Sequence, residues 1–189
     1  SQGATQKLAK LFDGKKYFDY PKPVTLIERC LQLYSDKDSL IMDFFSGSGT
    51  TAHAVMQLNA EDGGKRKYIM VQLPEETPED SEARKAGYNT IPDIAKERIR
   101  RAGKKIKEES PLTTQNLDTG FRVFRLDEGN YENVERSPKD YLQGQLDLFL
   151  NNIKDDRNDL DLLFGCMLDW GVQLSLPMTQ EEVDGKMIY

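Results

Sequence analysis

Cysteine, histidine and tryptophan are nearly missing from this sequence, which has two, one and one of them among 189 residues. Cys30 and Cys166 stand far apart in apolar, helical-looking stretches. That excludes a disulfide-stapled scaffold and predicts free, buried thiols in a reducing cytoplasm. His53 has no neighbouring cysteine or histidine with which to share a metal, so no metal centre is expected and the ring is read as packed or on the surface. Apolar runs are only a few residues long, so neither a membrane span nor a signal peptide is expected. A basic excess is also lacking: the net charge is −6. A phosphate grip needs clustered Lys and Arg, and these concentrate only at Lys15-Lys16, Lys65-Arg66-Lys67 and Arg98 to Lys107. Gripping nucleic acid is therefore not the main task of these residues.

What is present centres on Ser39 to Val55, SLIMDFFSGSGTTAHAV. Leu40, Ile41, Met42, Phe44 and Phe45 read as a strand, Gly47 and Gly49 as a tight turn, and Thr50 onward as a helix. In such a unit the glycines let backbone approach a ligand, and the first N–H groups of the helix favour a negative charge. Ser46, Ser48, Thr50 and Thr51 add hydroxyls, so a small ligand carrying carboxylate or phosphate is expected here. A phosphate-cradling P-loop needs Lys after the second glycine, where this chain has Thr50. A dinucleotide site wants G-x-G-x-x-G/A, which Gly47, Gly49 and Ala52 satisfy, and then an acid about 20 positions on. The end of the next strand carries Gln72 instead. S-adenosylmethionine, with a carboxylate on its amino-acid end, is the third candidate.

Around this unit the chain reads as alternating helices and strands. Leu8, Leu11 and Phe12 form an apolar trio at helical spacing. A helix is expected from Val24 to Tyr34, with Pro23 in its first turn, and a second strand from Lys67 to Leu73. The polar stretch from Pro74 to Asn89 reads as a functional or mobile loop. Thr90 and Asp93 form a capping pattern for a helix reaching Lys107. Its apolar stripe is Ile91, Ile94, Ala95, Ile99, Ala102 and Ile106, and its other face holds Lys96, Arg98, Arg100, Arg101, Lys104, Lys105 and Lys107, solvated or facing phosphate. Phe121 to Leu126 alternates like a third strand. Helices are expected from Ser137 to Asn151 and from Asp156 to Trp170, and Trp170, Val172, Leu174 and Leu176 imply packing.

The string DFFSGSGTTAHAV resembles motif I of the amino-methylating DNA methyltransferases of the β class. FDYPKPVTLIERCL, Phe18 to Leu31, resembles their motif X, and Tyr68 to Glu75 resembles motif II. Asn89 to Ala102 is similar to the segment that follows in modification (Mod) subunits of type III restriction–modification systems. The resemblance covers about residues 8 to 126 in the order X, I, II. It implies an S-adenosylmethionine site made by Asp19, Tyr20, Lys22 and Pro23 of motif X, by Asp43, Phe44, Phe45, Ser46, Gly47, Ser48, Gly49, Thr50 and Thr51 of motif I, and by Gln72. Lys22 is expected to pair with the cofactor carboxylate. Motif II commonly places an acid where this chain has Gln72, so Glu75 or Glu76 is expected to reach the ribose in its stead.

The implied fold is α/β, a partial Rossmann-like parallel sheet in the order 3-2-1 with flanking helices, over residues 1–127. Residues 128–189 are expected to form a mainly α-helical, partner-binding appendage. The Asp-Pro-Pro-Tyr/Phe tetrapeptide that orients adenine's amino group and stacks the flipped base does not occur among the 189 residues. In β-class order it precedes motif X, so the chain is expected to be the C-terminal, cofactor-binding half of a site-specific DNA adenine-N6 methyltransferase, inactive alone and without catalytic residues of its own. Implied partners are DNA, mainly through the missing part, a second Mod subunit and the restriction (Res) subunit. The first strand's open edge is expected to promote dimerisation, and the alternative function is an assembly module of the restriction–modification complex.

Overall fold

The buried side of α3, Thr50–Asp62, runs almost all the way round it, from Thr50, Thr51 and Ala52 to Ala54, Val55, Met56, Leu58 and Asn59. Only a helix with neighbours on several sides can bury so much, and the rest of the first unit is arranged about it. The computed structural model describes residues 2–132 and 152–189, which divide into two compact units, Ser1–Phe121 and Arg122–Tyr189.

In the first unit the order is α1 (Gln2–Leu11), α2 (Val24–Tyr34), β1 (Leu40–Asp43), α3, β2 (Lys67–Met70), α4 (Glu82–Lys85) and α5 (Ile91–Glu109). Strands β1 and β2 pair in parallel, with Ile41 opposite Tyr68 and Asp43 opposite Met70. Side chains alternate across a strand, and here Ile41, Asp43, Tyr68 and Met70 turn inward, while Leu40, Met42 and Ile69 stand exposed on the other face. Leu31, Ala54, Val55 and Leu58 join α2 to α3. Ala52, Met56, Ile99, Ala102 and Ile106 join α3 to α5. Leu8 and Phe12 of the N-terminal trio pack with Ala83 and Ile94, bringing α1 to α4 and α5.

Local chemistry fixes the helix ends. Pro23 caps α2, and the Thr90 N–H and hydroxyl both donate to the Asp93 carboxylate, at 2.9 and 2.8 Å, at the start of α5. Gly49 and Gly63 bracket α3 with φ of 77° and 68°, values that cost a side chain but not glycine. Beyond Gly63, the buried Arg66 donates to both Asp62 carboxylate oxygens, at 3.1 and 3.0 Å, locking the end of α3 to the approach of β2. The stretch from Pro74 to Asn89 is less loop-like than expected. It contains α4, capped by Ser81, and a bridge between Glu76 and Thr90.

Three expectations are corrected. Phe121 to Leu126 forms no strand, so the parallel sheet of the described residues has two strands rather than three. Phe121 instead packs against the α3–α5 cluster, and in the second unit Phe124 meets Phe164 edge-on at 5.0 Å. Phe121 and Phe124 thus find contacts without a ladder, while Leu126 stays 99% exposed. Cys30 and Cys166 are free but exposed, because each lies on the outward side of its helix.

The second unit contains α6 (Asp159–Asp169), started by Asn158 and Asp161, and an antiparallel hairpin of β3 (Glu181–Val183) and β4 (Lys186–Ile188). Arg122 donates to the carbonyls of Leu174 and Leu176. The helix expected from Ser137 to Asn151 lies outside the described residues. Among the described residues no helix is long and apolar enough to cross a membrane, and no cluster of His, Cys, Asp or Glu is placed to hold a metal.

Candidate functional site: the glycine turn

Asp43 ends β1 and fastens the turn that follows. Its Oδ1 accepts the Phe45 N–H at 3.1 Å and its Oδ2 accepts the Thr51 hydroxyl at 2.6 Å, so one carboxylate ties strand end to helix start. The turn then closes on itself. Gly49 N–H donates to the Ser46 carbonyl at 2.8 Å, and Ser46 N–H reaches the Val71 carbonyl beside β2 at 3.1 Å. Gly47 has φ 52°, and its N–H donates to Oε1 of Gln72 at 2.7 Å. A Cβ on Gly49 would lie 3.4 Å from the Ala95 carbonyl and 3.5 Å from Ile99, so this glycine also sets how closely the turn approaches α5.

The four hydroxyls divide differently from expectation. Ser46, Ser48, Thr50 and Thr51 are all buried. Thr51 is spent on Asp43, and Ser48 and Thr50 accept from a single atom, Nη1 of Arg98, at 2.8 Å each. Ser48, Thr50 and Thr51 thus serve the turn's interior. The N–H groups of Thr50, Thr51 and Ala52 are those a helix start leaves without intrahelical acceptors, and the helix dipole adds positive potential there; all three residues are buried.

Arg98 corrects the expectation most sharply. It is expected on the polar face of α5, yet it is 2% exposed. Burial draws its pKa down to about 10, so it stays charged at neutral pH. The signal was present in the spacing, since Arg98 stands four residues from both Ile94 and Ala102, within the stripe that packs. The remaining cations of that face behave as solvated side chains: Lys96 pairs with Asp93, Arg101 with Glu97 and Asp13, and Lys104 and Lys105 lie near Glu108 and Glu109.

The aromatic members are on the surface. Tyr20 is 86% exposed and Phe45 91%, and Phe44 is exposed too. Asp19 is exposed and held by Lys16 at 2.7 Å, while its carbonyl accepts the Thr5 hydroxyl. Lys22 is exposed, with no pairing among the described residues. Phe18 contacts the turn: its ring would stand 3.5 Å from a Cβ on Gly47. The stretch before α2 thus runs beside the glycine turn, although the two are well apart in sequence. Near Gln72, Glu75 lies 3.5 Å from its Nε2, and Glu76 is drawn away to Arg84 at 3.0 Å. His53 is packed, with Nδ1 buried and unpartnered, and burial pushes its pKa down to about 3. The ring is neutral and is no acid–base candidate.

The arrangement fits the anionic tail of a small ligand, and it offers no acid at the end of β2 for a sugar diol. Two hollows of the first unit lie elsewhere. One is beside α1 and α5 near Lys10 and Glu97, and the other is between α3 and α5 near Gln57 and Glu109.

Residues 2–84 match a family described as DNA methylase. The chain is 48% identical over 113 residues to the type III restriction–modification enzyme StyLTI Mod subunit of Salmonella typhimurium, covering 60% of this chain and 17% of that protein. It is 41% identical over 124 residues to the EcoP15I Mod subunit of Escherichia coli, covering 65% and 18%. It is 40% identical over 99 residues to the type II methyltransferase M.KpnI of Klebsiella pneumoniae, covering 52% and 24%. The chain thus spans less than a quarter of the length of each. Over residues 2–84 the chain is similar to the DNA methylase family, and over a somewhat longer stretch to the modification subunits of type III restriction–modification enzymes.

Proposed function

We propose that the first unit is the S-adenosylmethionine-binding part of a site-specific DNA adenine-N6 methyltransferase of a type III system. The observation that supports it most directly is the braced turn itself: two glycines with positive φ at the end of a parallel strand, opening into a helix start. On this reading the fold is the class I, Rossmann-like one, with residues 1–127 as cofactor part and 128–189 as partner-binding appendage. The bound group supplies a methyl already activated on a sulfonium. The amides at the start of α3 hold its carboxylate, and Lys22 adds a mobile positive charge. Tyr20, Phe44 and Phe45 offer apolar faces that exclude water from the rest of it. Gln72 contributes by bracing Gly47, and its Nε2 remains near Glu75 for a neutral hydrogen bond to a hydroxyl. The base-stacking tetrapeptide and target recognition come from protein outside these residues, with DNA, a second Mod subunit and a Res subunit as partners in the cytoplasm.

The test is calorimetric titration with S-adenosylhomocysteine, backed by a melting-temperature rise that Gly47→Val or Gly49→Val abolishes. No heat and no shift would overturn the reading. The exposed apolar face of β1 and β2 favours a second one, an assembly module. Co-purification with another subunit and no response to cofactor would select it.

A further inference from the structure

Arg98 is a buried cation without a described counter-charge. Arg66, Arg84 and Arg101 of the same unit each meet a carboxylate within 3.0 Å. Arg98 forms no ion pair among the described residues. Its Nη1 bonds only the hydroxyls of Ser48 and Thr50, and its Nε is buried without any partner. Taking an unpaired guanidinium out of water is costly, and two neutral hydroxyls return only part of that cost. A part that merely pinned two hydroxyls would need no charge. Ser48 and Thr50 flank Gly49, so the guanidinium spans the second glycine from the interior side. An anion received by the amides at the start of α3 would feel that charge across protein, where screening is weaker than in water.

We infer that Arg98 is the positioning residue of the site: it holds Ser48 and Thr50 on either side of Gly49 and supplies, from behind the turn, the positive charge that selects a ligand with a carboxylate tail. This rests on the cofactor reading above and deepens it. The amides touch the ligand, and Arg98 acts through them and through its field.

Two ligands separate the role from a purely structural one. S-adenosylhomocysteine carries the amino-acid tail, and 5′-methylthioadenosine keeps the adenosine and the sulfur without it. In calorimetric titrations of the full chain, Arg98→Met should weaken S-adenosylhomocysteine about tenfold or more and leave 5′-methylthioadenosine within about twofold. Arg98→Lys, which keeps the charge and loses the fork, should retain most of the preference for the tailed ligand. Equal loss of both ligands in Arg98→Met, or loss of neither, overturns the inference. Should Arg98→Met not fold, Arg98→Lys decides alone, and a collapse of the preference there is equally fatal. An unaltered chain that binds neither ligand would instead refute the cofactor reading, and this inference with it.

Discussion

Gln72 and Gly47 are joined by one hydrogen bond, the side-chain oxygen accepting the backbone N–H at 2.7 Å across 25 positions of sequence. The end of β2 therefore holds the turn at the end of β1. Replacing the acceptor leaves a part-buried N–H unmatched, so Gln72→Leu should lower stability by about 1 kcal/mol in urea titrations. Gln72→Glu keeps an oxygen in place and should lose less. Equal stability in all three chains would mean that the bond adds nothing net.

Gly49 combines positive φ with close packing, whereas Gly87, at φ 88°, has nothing within 4 Å of the space its Cβ would occupy. Gly87→Ala should cost about 1 kcal/mol for conformation alone, and Gly49→Ala more, because Ala95 and Ile99 must also move. The comparison by thermal melting isolates packing from strain. Equal losses would show that α5 yields freely.

His53 gives a clean pH window because it is the one histidine. Its pKa falls to about 3 in the fold, chiefly through burial, against an ordinary 6.5. The unfolded chain then binds a proton that the folded chain refuses. Stability should be unaffected above pH 6.5 and fall below it, by at most about 1.4 kcal/mol per unit. Between pH 6.5 and 5 few carboxylates titrate, so His53→Gln should flatten that slope in denaturant midpoints. An unchanged slope would place its origin elsewhere.

Asp62 and Arg66 close the far end of α3. Asp62→Ala strands a buried guanidinium with only Asn59 and Ser35 for partners, and should cost about 2 kcal/mol, discounted because the carboxylate is partly exposed. The Asp62 carboxyl is held below its ordinary 3.8, first by the Arg66 hydrogen bond. That contribution is present above pH 3.8 and is lost as pH falls through the lowered value. Acid melts of Asp62→Ala should accordingly converge on those of the unaltered chain.

One face of β1 and β2 shows Leu40, Met42 and Ile69 to water. Self-association rising with concentration is expected by light scattering, and Met42→Lys together with Ile69→Glu should suppress it. A clean monomer of the unaltered chain at high concentration would count against this.

The parts of the fold written in local chemistry were legible in the sequence. Pro23, the Thr90–Asp93 pair and Gly49 mark helix starts because each acts within a few residues. The turn could be located for the same reason. What the hydroxyls inside it do was hidden, since Ser48 and Thr50 answer to a side chain about 50 positions on. Arg98 departs from expectation because residue type sets it with the polar face of α5, whereas its spacing, four residues from Ile94 and from Ala102, sets it within the packed stripe. Phe121 to Leu126 alternates as strands do, but no neighbouring strand pairs with it among the described residues: Phe121 and Phe124 meet side chains, and Leu126 stays exposed. The hairpin of β3 and β4 has a local signal of its own, Asp184-Gly185, whose φ values of 51° and 75° suit the tightest hairpin turn.

Helix α5 works as a ruler whose zero is set at Thr90. Each inserted or deleted residue between that mark and Arg98 would swing everything beyond it by roughly 100°, carrying the guanidinium off the turn and a neighbouring side chain into its place. Length changes between 90 and 98 should therefore be far more damaging than changes after Ile106, where nothing downstream on the helix has to meet the turn.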